Sequence, residues 1–352
     1  MTVTATVLYE NVEESARLAG LQYVSDQQPG ISRKRWGRGF TYFYPDGSRL
    51  ADREQRCRIK QLSLPPSWQD VWICIDPVGH LQATGRDANG RKQYRYHSDW
   101  KQLRKQLKFD RMVPFARRLP DLRQQVQSQI HHSGGAAASL VEKAVVVAAV
   151  VKLLDETLLR VGNSQYQQEN GSHGLTTLRK KHVNIETDRL LFSFRGKSGV
   201  TQVRDLCNRR LTTVVKHCKE IPGQTLFQYL DEHGQRQAVD SGDINQYLQA
   251  CLSGPFTAKD FRTWGGTVAA CRELATADTQ CEKQPTQAIN KAAKQLGNRA
   301  ATCRKYYVHP KIIEAYESGW LKTTAESIKF DRTCGLSPME QLTLAVIEKY
   351  ER

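Results

Sequence analysis

The chain has 352 residues, 39% hydrophobic and 25% charged, so it is long enough for two globular domains and has the composition of a soluble protein. Because 52 Lys and Arg outnumber 36 Asp and Glu, its formal net charge is +16, which favours nucleic acid over an anionic membrane surface as a partner. Nine scattered cysteines without a C-x-x-C pair fit neither a disulfide framework nor a zinc site, and the lack of a secretory leader and of a membrane-length apolar run predicts a soluble intracellular protein.

The first hundred residues predict a β-rich domain. Aromatic and β-branched residues at 39–44 indicate one strand, and the segments 71–75 and 80–84 indicate a hairpin. A glycine-rich loop at 85–90 then leads into a segment of alternating residues at 91–97. Period-two alternation in that segment divides its side chains between two strand faces, with one face carrying Lys92, Tyr94 and Tyr96 and the other Arg91, Gln93 and Arg95.

From about residue 98 the pattern becomes helical and highly charged. We therefore predict a domain boundary that separates residues 1–107 from a mainly helical domain at 108–352, with Pro114 and Pro120 interrupting its first stretch. Apolar residues at helical spacing predict a long helix from Leu140 through Leu158, which ends at Gly162-Asn163. A hairpin is predicted at 189–204, and the remainder is predicted to be helical with loops near residues 220–224 and 275–286.

Four features carry side chains that could act on a phosphodiester, although each has an ordinary structural explanation. Arg160 at the end of the long helix would complement the helix dipole, and Lys197 at a hairpin tip would be solvated. Arg262, at the start of an alanine-rich helix, could pair with any acid. The paired tyrosines Tyr306 and Tyr307, beside basic groups, could belong to a core.

Taken together, these features indicate phosphoryl transfer. Guanidinium groups can donate two hydrogen bonds to one phosphate and stabilise the charge that gathers on its oxygens during attack. A tyrosine hydroxyl becomes a useful nucleophile where nearby cations favour its ionised form, and a lysine can supply the proton that a leaving oxygen needs. No acidic cluster has the spacing of a magnesium site, so we expect neither a metal nor another cofactor.

At this level of detail the sequence resembles type IB DNA topoisomerases, specifically the small bacterial and poxvirus-like enzymes, from about Ser32 to Ser318. The most specific stretch is ATGRDANGRKQYRYH at 83–97, followed by KDFRTW at 259–264 and by Gly297-Asn298, nine residues before Tyr307. The resemblance implies an α+β fold, in which a small β-rich N-terminal domain and a larger helical catalytic domain form a clamp around duplex DNA. It also implies a cytoplasmic, nucleoid-associated protein that acts as a monomer.

Carried over residue by residue, the resemblance assigns five catalytic positions. Arg160 and Arg262 match the two catalytic arginines, and Lys197 matches the hairpin lysine that acts as general acid towards the 5′-hydroxyl. Tyr307 matches the nucleophile, and its spacing from Asn298 distinguishes it from its neighbour Tyr306. Asn298 stands where many relatives have histidine; an amide can still donate a hydrogen bond, but it stays neutral.

The same resemblance predicts which side chains approach DNA: Arg86, Gln93, Tyr94, Tyr96 and Lys259. Packing of one of the two tyrosines in a small core remains an alternative. A tyrosine recombinase would use the same Arg-Lys-Arg-Tyr chemistry, but recombinases usually carry histidine at the position of Lys259 and lack the 85–97 segment. A basic protein that compacts DNA without chemistry is the other alternative, and it would have no need of the catalytic set. The expected activity is relaxation of supercoiled DNA through a 3′-phosphotyrosyl intermediate, without ATP or metal.

Overall fold

A five-stranded antiparallel sheet forms the centre of the first of two structural units. The computed structural model describes residues 5–132, 142–277 and 281–349, and the chain divides into the units Met1–Arg111 and Met112–Arg352. The predicted boundary after residue 107 falls inside the last helix of the first unit. In chain order this unit contains α1 (Ala5–Glu10), α2 (Val12–Leu18), β1 (Ile31–Trp36), β2 (Gly39–Phe43), α3 (Arg53–Gln61), β3 (Gln69–Ile73), β4 (Leu81–Arg86), β5 (Lys92–Tyr96) and α4 (Ser98–Asp110).

The strand order in this sheet is β2-β1-β3-β4-β5, with every neighbouring pair antiparallel. The predicted strand at 39–44 and the predicted hairpin of β3 and β4 are confirmed. Strand β1 was not predicted, because only Ile31 of its six residues is buried and its charged residues give no apolar alternation. Helix α3 was also missed, since Ile59 is its one buried residue; that side chain joins Ile31, Ile73 and Ala83 in the core under the sheet.

The second unit is mainly helical, as predicted. Its elements are α5 (Met112–His132), α6 (Lys143–Thr157), α7 (Ser164–Asn170), β6 (Val183–Glu186), β7 (Arg189–Arg195), β8 (Thr201–Cys207), α8 (Arg209–Glu220), β9 (Gln228–Leu230), β10 (Arg236–Ala238), α9 (Ser241–Leu252), α10 (Ala258–Ala275), α11 (Gln284–Leu296), α12 (Ala300–Tyr306), α13 (Pro310–Glu317), α14 (Trp320–Ser327) and α15 (Pro338–Lys349). The predicted hairpin is β7–β8, to which β6 adds a third strand. None of the helices in the described ranges is both long and apolar enough to cross a membrane.

Two predictions for the helices of this unit are wrong. Pro114 and Pro120 do not interrupt the chain but lie within α5, where Pro114 occupies the first turn, whose N–H groups have no partner inside the helix. The long apolar helix, α6, ends at Thr157 rather than at Gly162-Asn163, because Leu158 adopts a left-handed conformation with φ of 54°. The predicted start of that helix at Leu140 lies outside the described residues.

Candidate active site

Arg160 lies three residues beyond the last residue of α6, so it does not complement the dipole from within the last helical turn. The left-handed turn at Leu158 breaks the helix, and the side chain of Leu158 packs where Gly265 has none: a Cβ on Gly265 would lie 2.5 Å from its Cδ1. Beyond the turn, the half-buried Arg160 donates a hydrogen bond from Nη2 to Oδ1 of Asn298. The end of α6 thereby directs Arg160 towards residues that are distant in sequence.

Arg262, on α10, is 4% exposed, and its guanidinium is held by the ends of two other helices. Nη1 donates to the carbonyl oxygen of Leu158, and Nη2 donates to that of Leu296 at a distance of 2.9 Å. These carbonyls lie at helix C-termini, where the partial charge is negative, so they favour a cation. Burial and the nearby charge of Arg160 lower the pKa of Arg262 to about 10, so the side chain remains charged at neutral pH.

Tyr307 immediately follows α12, and its ring lies beside Arg262. The guanidinium carbon of Arg262 is 5.3 Å from the centroid of the ring. Burial lowers the pKa of both Arg262 and Arg160, and the nearby Tyr307 hydroxyl partly opposes that effect in each. Tyr306 points elsewhere: it is 45% exposed, and the ammonium of Lys305 lies 5.1 Å from its ring centroid. Of the two tyrosines, Tyr307 is the one beside the arginines.

The backbone of Tyr307 lies against α10 at Gly266. A Cβ on Gly266 would be 2.8 Å from the carbonyl oxygen of Tyr307, closer than real contacts allow. The hydroxyl of Thr267 is 3.2 Å from the same oxygen. The two glycines of α10 therefore have distinct roles, since Gly265 accommodates Leu158 and Gly266 accommodates Tyr307. Sequence reasoning did not assign either role.

Replacing Gly266 with alanine is expected to displace Tyr307 and slow DNA cleavage by about 10- to 100-fold, because small misplacements of reacting groups are costly. Overpacking costs about 1–3 kcal/mol, and the greater helix preference of alanine, about 1 kcal/mol, offsets part of it, so the melting temperature should fall only modestly. Single-turnover cleavage and the melting temperature would be measured together. A cleavage rate equal to that of the wild type would contradict the close approach as a determinant of Tyr307 position.

Asn298 presents an unused hydrogen-bond donor next to Arg160. It follows Gly297, which ends α11 in the left-handed region with φ of 60°, and its N–H donates to the carbonyl oxygen of Ala293 at 2.9 Å. With Oδ1 accepting from Arg160, its Nδ2 is buried and has no hydrogen-bond partner in the described parts of the chain. Such a donor suits an oxygen of a bound ligand, because an unsatisfied buried N–H is unfavourable.

Lys197 stands apart from these four residues. It is exposed at the tip of the β7–β8 hairpin, and its ammonium lies 5.9 Å from the ring centroid of Tyr166. Within the described ranges it forms no ion pair or hydrogen bond with Arg160, Arg262, Asn298 or Tyr307. The structure therefore brings together four of the five predicted catalytic side chains and leaves the fifth in solvent.

Arg204 is a further residue of this site, and sequence reasoning missed it. From β8 it donates hydrogen bonds to the carbonyl oxygens of Thr157 at 3.2 Å and Gln295 at 2.6 Å, at the ends of α6 and α11. Burial lowers the pKa of Arg204, and its charge contributes to the lowered pKa of Arg262. The body of the hairpin is thus fixed to the same two helix ends that hold Arg262. The alternation along β8 could have indicated that Arg204 faces inward.

In the first unit, Tyr94 and Tyr96 share one face of β5, as the alternation predicts. Their rings stack with centroids 5.9 Å apart and an interplanar angle of 6°. Tyr94 is 49% exposed, whereas Tyr96 packs against Leu21 and Trp100, and burial raises the pKa of Tyr96. The core alternative therefore applies to Tyr96, and Tyr94 is the accessible ring.

The other predicted DNA contacts differ in accessibility. Arg86 is exposed at the end of β4 and donates to the carbonyl oxygen of Gly90 at 2.9 Å. Gln93 is half-buried and donates to Asp87 at 2.9 Å. Lys259, in the second unit, is exposed in the first turn of α10. Arg86 and Lys259 are therefore accessible, whereas the amide of Gln93 already donates a hydrogen bond within the protein.

Behind the arginines, Glu340 of α15 joins the C-terminal region to α6 and α10. Its carboxylate accepts from Arg123 at 2.7 and 3.1 Å and from Trp264 Nε1 at 3.2 Å, and Arg123 also forms an ion pair with Asp155 at 2.8 Å. Burial raises the pKa of Glu340, but hydrogen bonds and charge from Arg123 outweigh it and lower the pKa to about 2. Trp264 lies two residues after Arg262, and Asp155 lies in the last turn of α6, so this network supports both helices of the site.

Because the folded-state pKa of Glu340 is below its ordinary value of 4.5, its contribution to stability is present above that value and is lost as the pH falls towards 2. The shift corresponds to roughly 3 kcal/mol. Glu340→Gln is expected to lower the free energy of unfolding by about 2–3 kcal/mol at pH 7, with the difference from wild type narrowing between pH 5 and pH 3. Urea unfolding at several pH values measures this difference. Glu348→Gln is the matched control, because Glu348 lies on the same helix in an exposed ion pair with Arg117. That substitution should lower the free energy of unfolding by less than about 1 kcal/mol.

Comparison with known proteins identifies the family of this chain. The family model described as "Eukaryotic DNA topoisomerase I, catalytic core" matches residues 97–332, and "Bacterial DNA topoisomerase IB, N-terminal domain" matches residues 39–87. DNA topoisomerase 1B of Acanthamoeba polyphaga mimivirus is 31% identical over 301 residues, which cover 82% of this chain and 88% of the relative. DNA topoisomerase 1B of Vaccinia virus (strain Copenhagen) is 23% identical over 274 residues, which cover 73% of this chain and 80% of the relative. The chain belongs to the type IB DNA topoisomerases, a family of isomerases.

Proposed function

We propose that this chain relaxes supercoiled duplex DNA by cutting one strand with Tyr307 and resealing it, through a 3′-phosphotyrosyl intermediate and without ATP or a metal ion. The observation that carries the proposal is the position of the Tyr307 ring, 5.3 Å from a buried, charged Arg262. Arg160 lies close enough to Arg262 to lower its pKa, and it donates a hydrogen bond to Asn298, whose Nδ2 is unused. Donors that are fixed before the substrate arrives stabilise charge on a phosphate most effectively.

In the proposed reaction, the Tyr307 hydroxyl gives its proton to solvent water, and its oxygen attacks the phosphorus atom of the backbone. A bond forms between phosphorus and Tyr307 while the bond to the 5′-oxygen breaks, and Lys197 donates a proton to that oxygen. Arg160, Arg262 and Asn298 hold the two nonbridging oxygens as negative charge gathers there. The phosphotyrosyl ester keeps the energy of the broken bond, so resealing is the same reaction in reverse. Between the two steps, torque in the DNA rotates the free 5′ end.

Lys197→Ala is expected to slow cleavage by about 10²- to 10⁴-fold, the usual contribution of a general acid. Because Lys197 is exposed at a hairpin tip, the acid role requires that tip to approach the bound phosphate. Substrates whose 5′-oxygen is replaced by sulfur should restore the rate, since sulfur departs without a proton. Failure of the sulfur substrate to rescue the variant would remove Lys197 from the acid role.

DNA is proposed to reach this site between the two units, which close around the duplex as a clamp. In the first unit, Arg86 and Tyr94 are accessible for contact with the duplex and lie near Gln93 and Tyr96; in the second unit, Lys259 is accessible. We also propose that the chain acts as a monomer on nucleoid DNA, because the four clustered side chains all belong to one unit of one chain.

The test is plasmid relaxation in EDTA without ATP, followed by detergent to trap covalent complexes. Relaxation together with a protein–DNA adduct supports the proposal. Retardation of the plasmid without relaxation would instead indicate a basic DNA-binding protein. Strand exchange between two duplexes would indicate a recombinase, although Lys259 stands where recombinases usually have histidine.

A further inference from the structure

The β1–β2 hairpin extends beyond the sheet of the first unit. Strand β1 pairs with β3 only at Ile31 and Ser32, whereas it pairs with β2 as far as Trp36 and Gly39. The turn consists of Gly37 and Arg38, and Gly37 has the positive φ of 55° that such a two-residue turn requires. Residues 33–42 therefore form a two-stranded ribbon, which we call the basic ribbon.

All charged residues of the basic ribbon are positive. It contains Arg33, Lys34, Arg35 and Arg38, and no acidic residue occurs between Ile31 and Pro45. Arg33 has a structural role, since it donates to the carbonyl oxygens of Pro65 at 3.0 Å and Trp68 at 2.7 Å. Arg35 and Arg38 are exposed, and in the described ranges neither forms an ion pair.

Trp36 lies at the end of this ribbon and is 69% exposed, more than any other large apolar side chain in the part of the chain that the structure describes. It shares a face with Lys34, because residues two apart in a strand point the same way. Gly37 and Gly39 flank the ring without covering it, and a Cβ at either would meet no atom within 4 Å. An exposed indole next to unpaired cations suits a partner that is both anionic and able to stack or accept an apolar side chain.

We propose that the basic ribbon is a second contact with duplex DNA, distinct from the surface around Arg86 and Tyr94. A two-stranded ribbon fits a major groove about 12 Å wide, where an apolar side chain can pack against thymine methyl groups. β2 and β5 are opposite edges of the sheet, separated by four strand spacings of about 4.8 Å, or roughly 19 Å. That distance corresponds to about six base pairs along one duplex. The inference rests on DNA being the substrate of the proposed function.

The test measures equilibrium binding of a short duplex by the full chain carrying Tyr307→Phe, so that only non-covalent contact is read. Trp36→Ala is expected to raise Kd by about 10- to 100-fold, the range for loss of one buried apolar side chain. Arg35→Ala with Arg38→Ala should raise Kd and reduce the slope of log K against log salt by up to about 1.8, because each lost phosphate contact contributes about 0.9. The matched control is Arg53→Ala with Arg56→Ala, which removes the same charge from exposed positions on α3 and should leave the slope unchanged.

Wild-type affinity and slope in both ribbon variants, or equal losses in the ribbon and α3 pairs, would overturn the inference. Loss of binding to anionic phospholipid vesicles in the ribbon variants, with DNA affinity unchanged, would overturn it in favour of a membrane surface. The outcome is separable from that of the proposed function. If the wild-type chain fails to relax plasmid but the ribbon variants still weaken duplex binding, the proposed function fails and the ribbon contact remains.

Discussion

Replacing Tyr307 with phenylalanine is expected to abolish plasmid relaxation, with a loss of more than about 10⁴-fold, while duplex binding stays nearly intact. The change removes a single oxygen atom, and the ring can keep its position beside Arg262. Tyr306 cannot take over the attack from its place, because it is exposed and lies against Lys305 rather than against the arginines. Relaxation and filter binding on the same preparations measure the two effects.

Tyr306→Phe is the matched control, since it removes the same atom from the adjacent residue. We expect this variant to relax DNA at close to the wild-type rate. The opposite pattern, an active Tyr307→Phe and an inactive Tyr306→Phe, would show that Tyr306 is the nucleophile. Loss of activity in both would point to a requirement for the local fold rather than for one hydroxyl.

The second large effect is expected from the two arginines. Arg160→Ala should slow single-turnover cleavage by about 10²- to 10³-fold, because it removes a fixed donor to the charge that develops on the phosphate. Arg262→Ala should slow cleavage at least as much, but it also leaves the carbonyls of Leu158 and Leu296 without their donor. Each unsatisfied buried carbonyl costs about 1–3 kcal/mol, so Arg262→Ala should also lower the melting temperature.

Comparison of rate and stability separates these roles. Arg160 is half-buried and donates a hydrogen bond to the amide oxygen of Asn298, so Arg160→Ala should change the rate far more than the stability. A variant of either arginine that is less stable but cleaves at the wild-type rate would make that side chain a structural link between helices. DNA affinity, measured in parallel, should fall only modestly, because the main loss is in the transition state.

The sequence predicts the elements of the fold best where a segment has a clear periodic or turn pattern. Alternation placed Tyr94 and Tyr96 on one face of β5, and glycines marked the tip of the β7–β8 hairpin. Strand β1 and helix α3 were missed, because each buries a single apolar side chain and is otherwise charged. Local pattern carries little information about such elements, since tertiary contact supplies most of their stability.

In the candidate site, too, some features could be predicted from the sequence and others depend on tertiary contacts. The identities of Arg160, Arg262 and Tyr307 came from the resemblance, but the sequence did not show that α6 ends at Thr157. That ending depends on Leu158 packing over Gly265, a contact between residues more than a hundred positions apart. The place of Arg204 depends likewise on two helix ends that meet only in the folded chain. Long-range contacts of this kind leave no periodic signal.

The chemical identity of the trapped adduct tests directly whether Tyr307 forms a 3′-phosphotyrosyl link. The protein would be incubated with a duplex that carries radiolabelled phosphate in the cut strand, and the covalent complex would be denatured. Digestion with protease and nuclease would then leave a nucleotide-bearing peptide, which would be sequenced by fragmentation. We expect a 3′-phosphate esterified to Tyr307, with a free 5′-hydroxyl on the other DNA fragment that a kinase can label. A nucleotide on Tyr306, a linkage through the 5′ end of the DNA, or relaxation without any covalent adduct would contradict it.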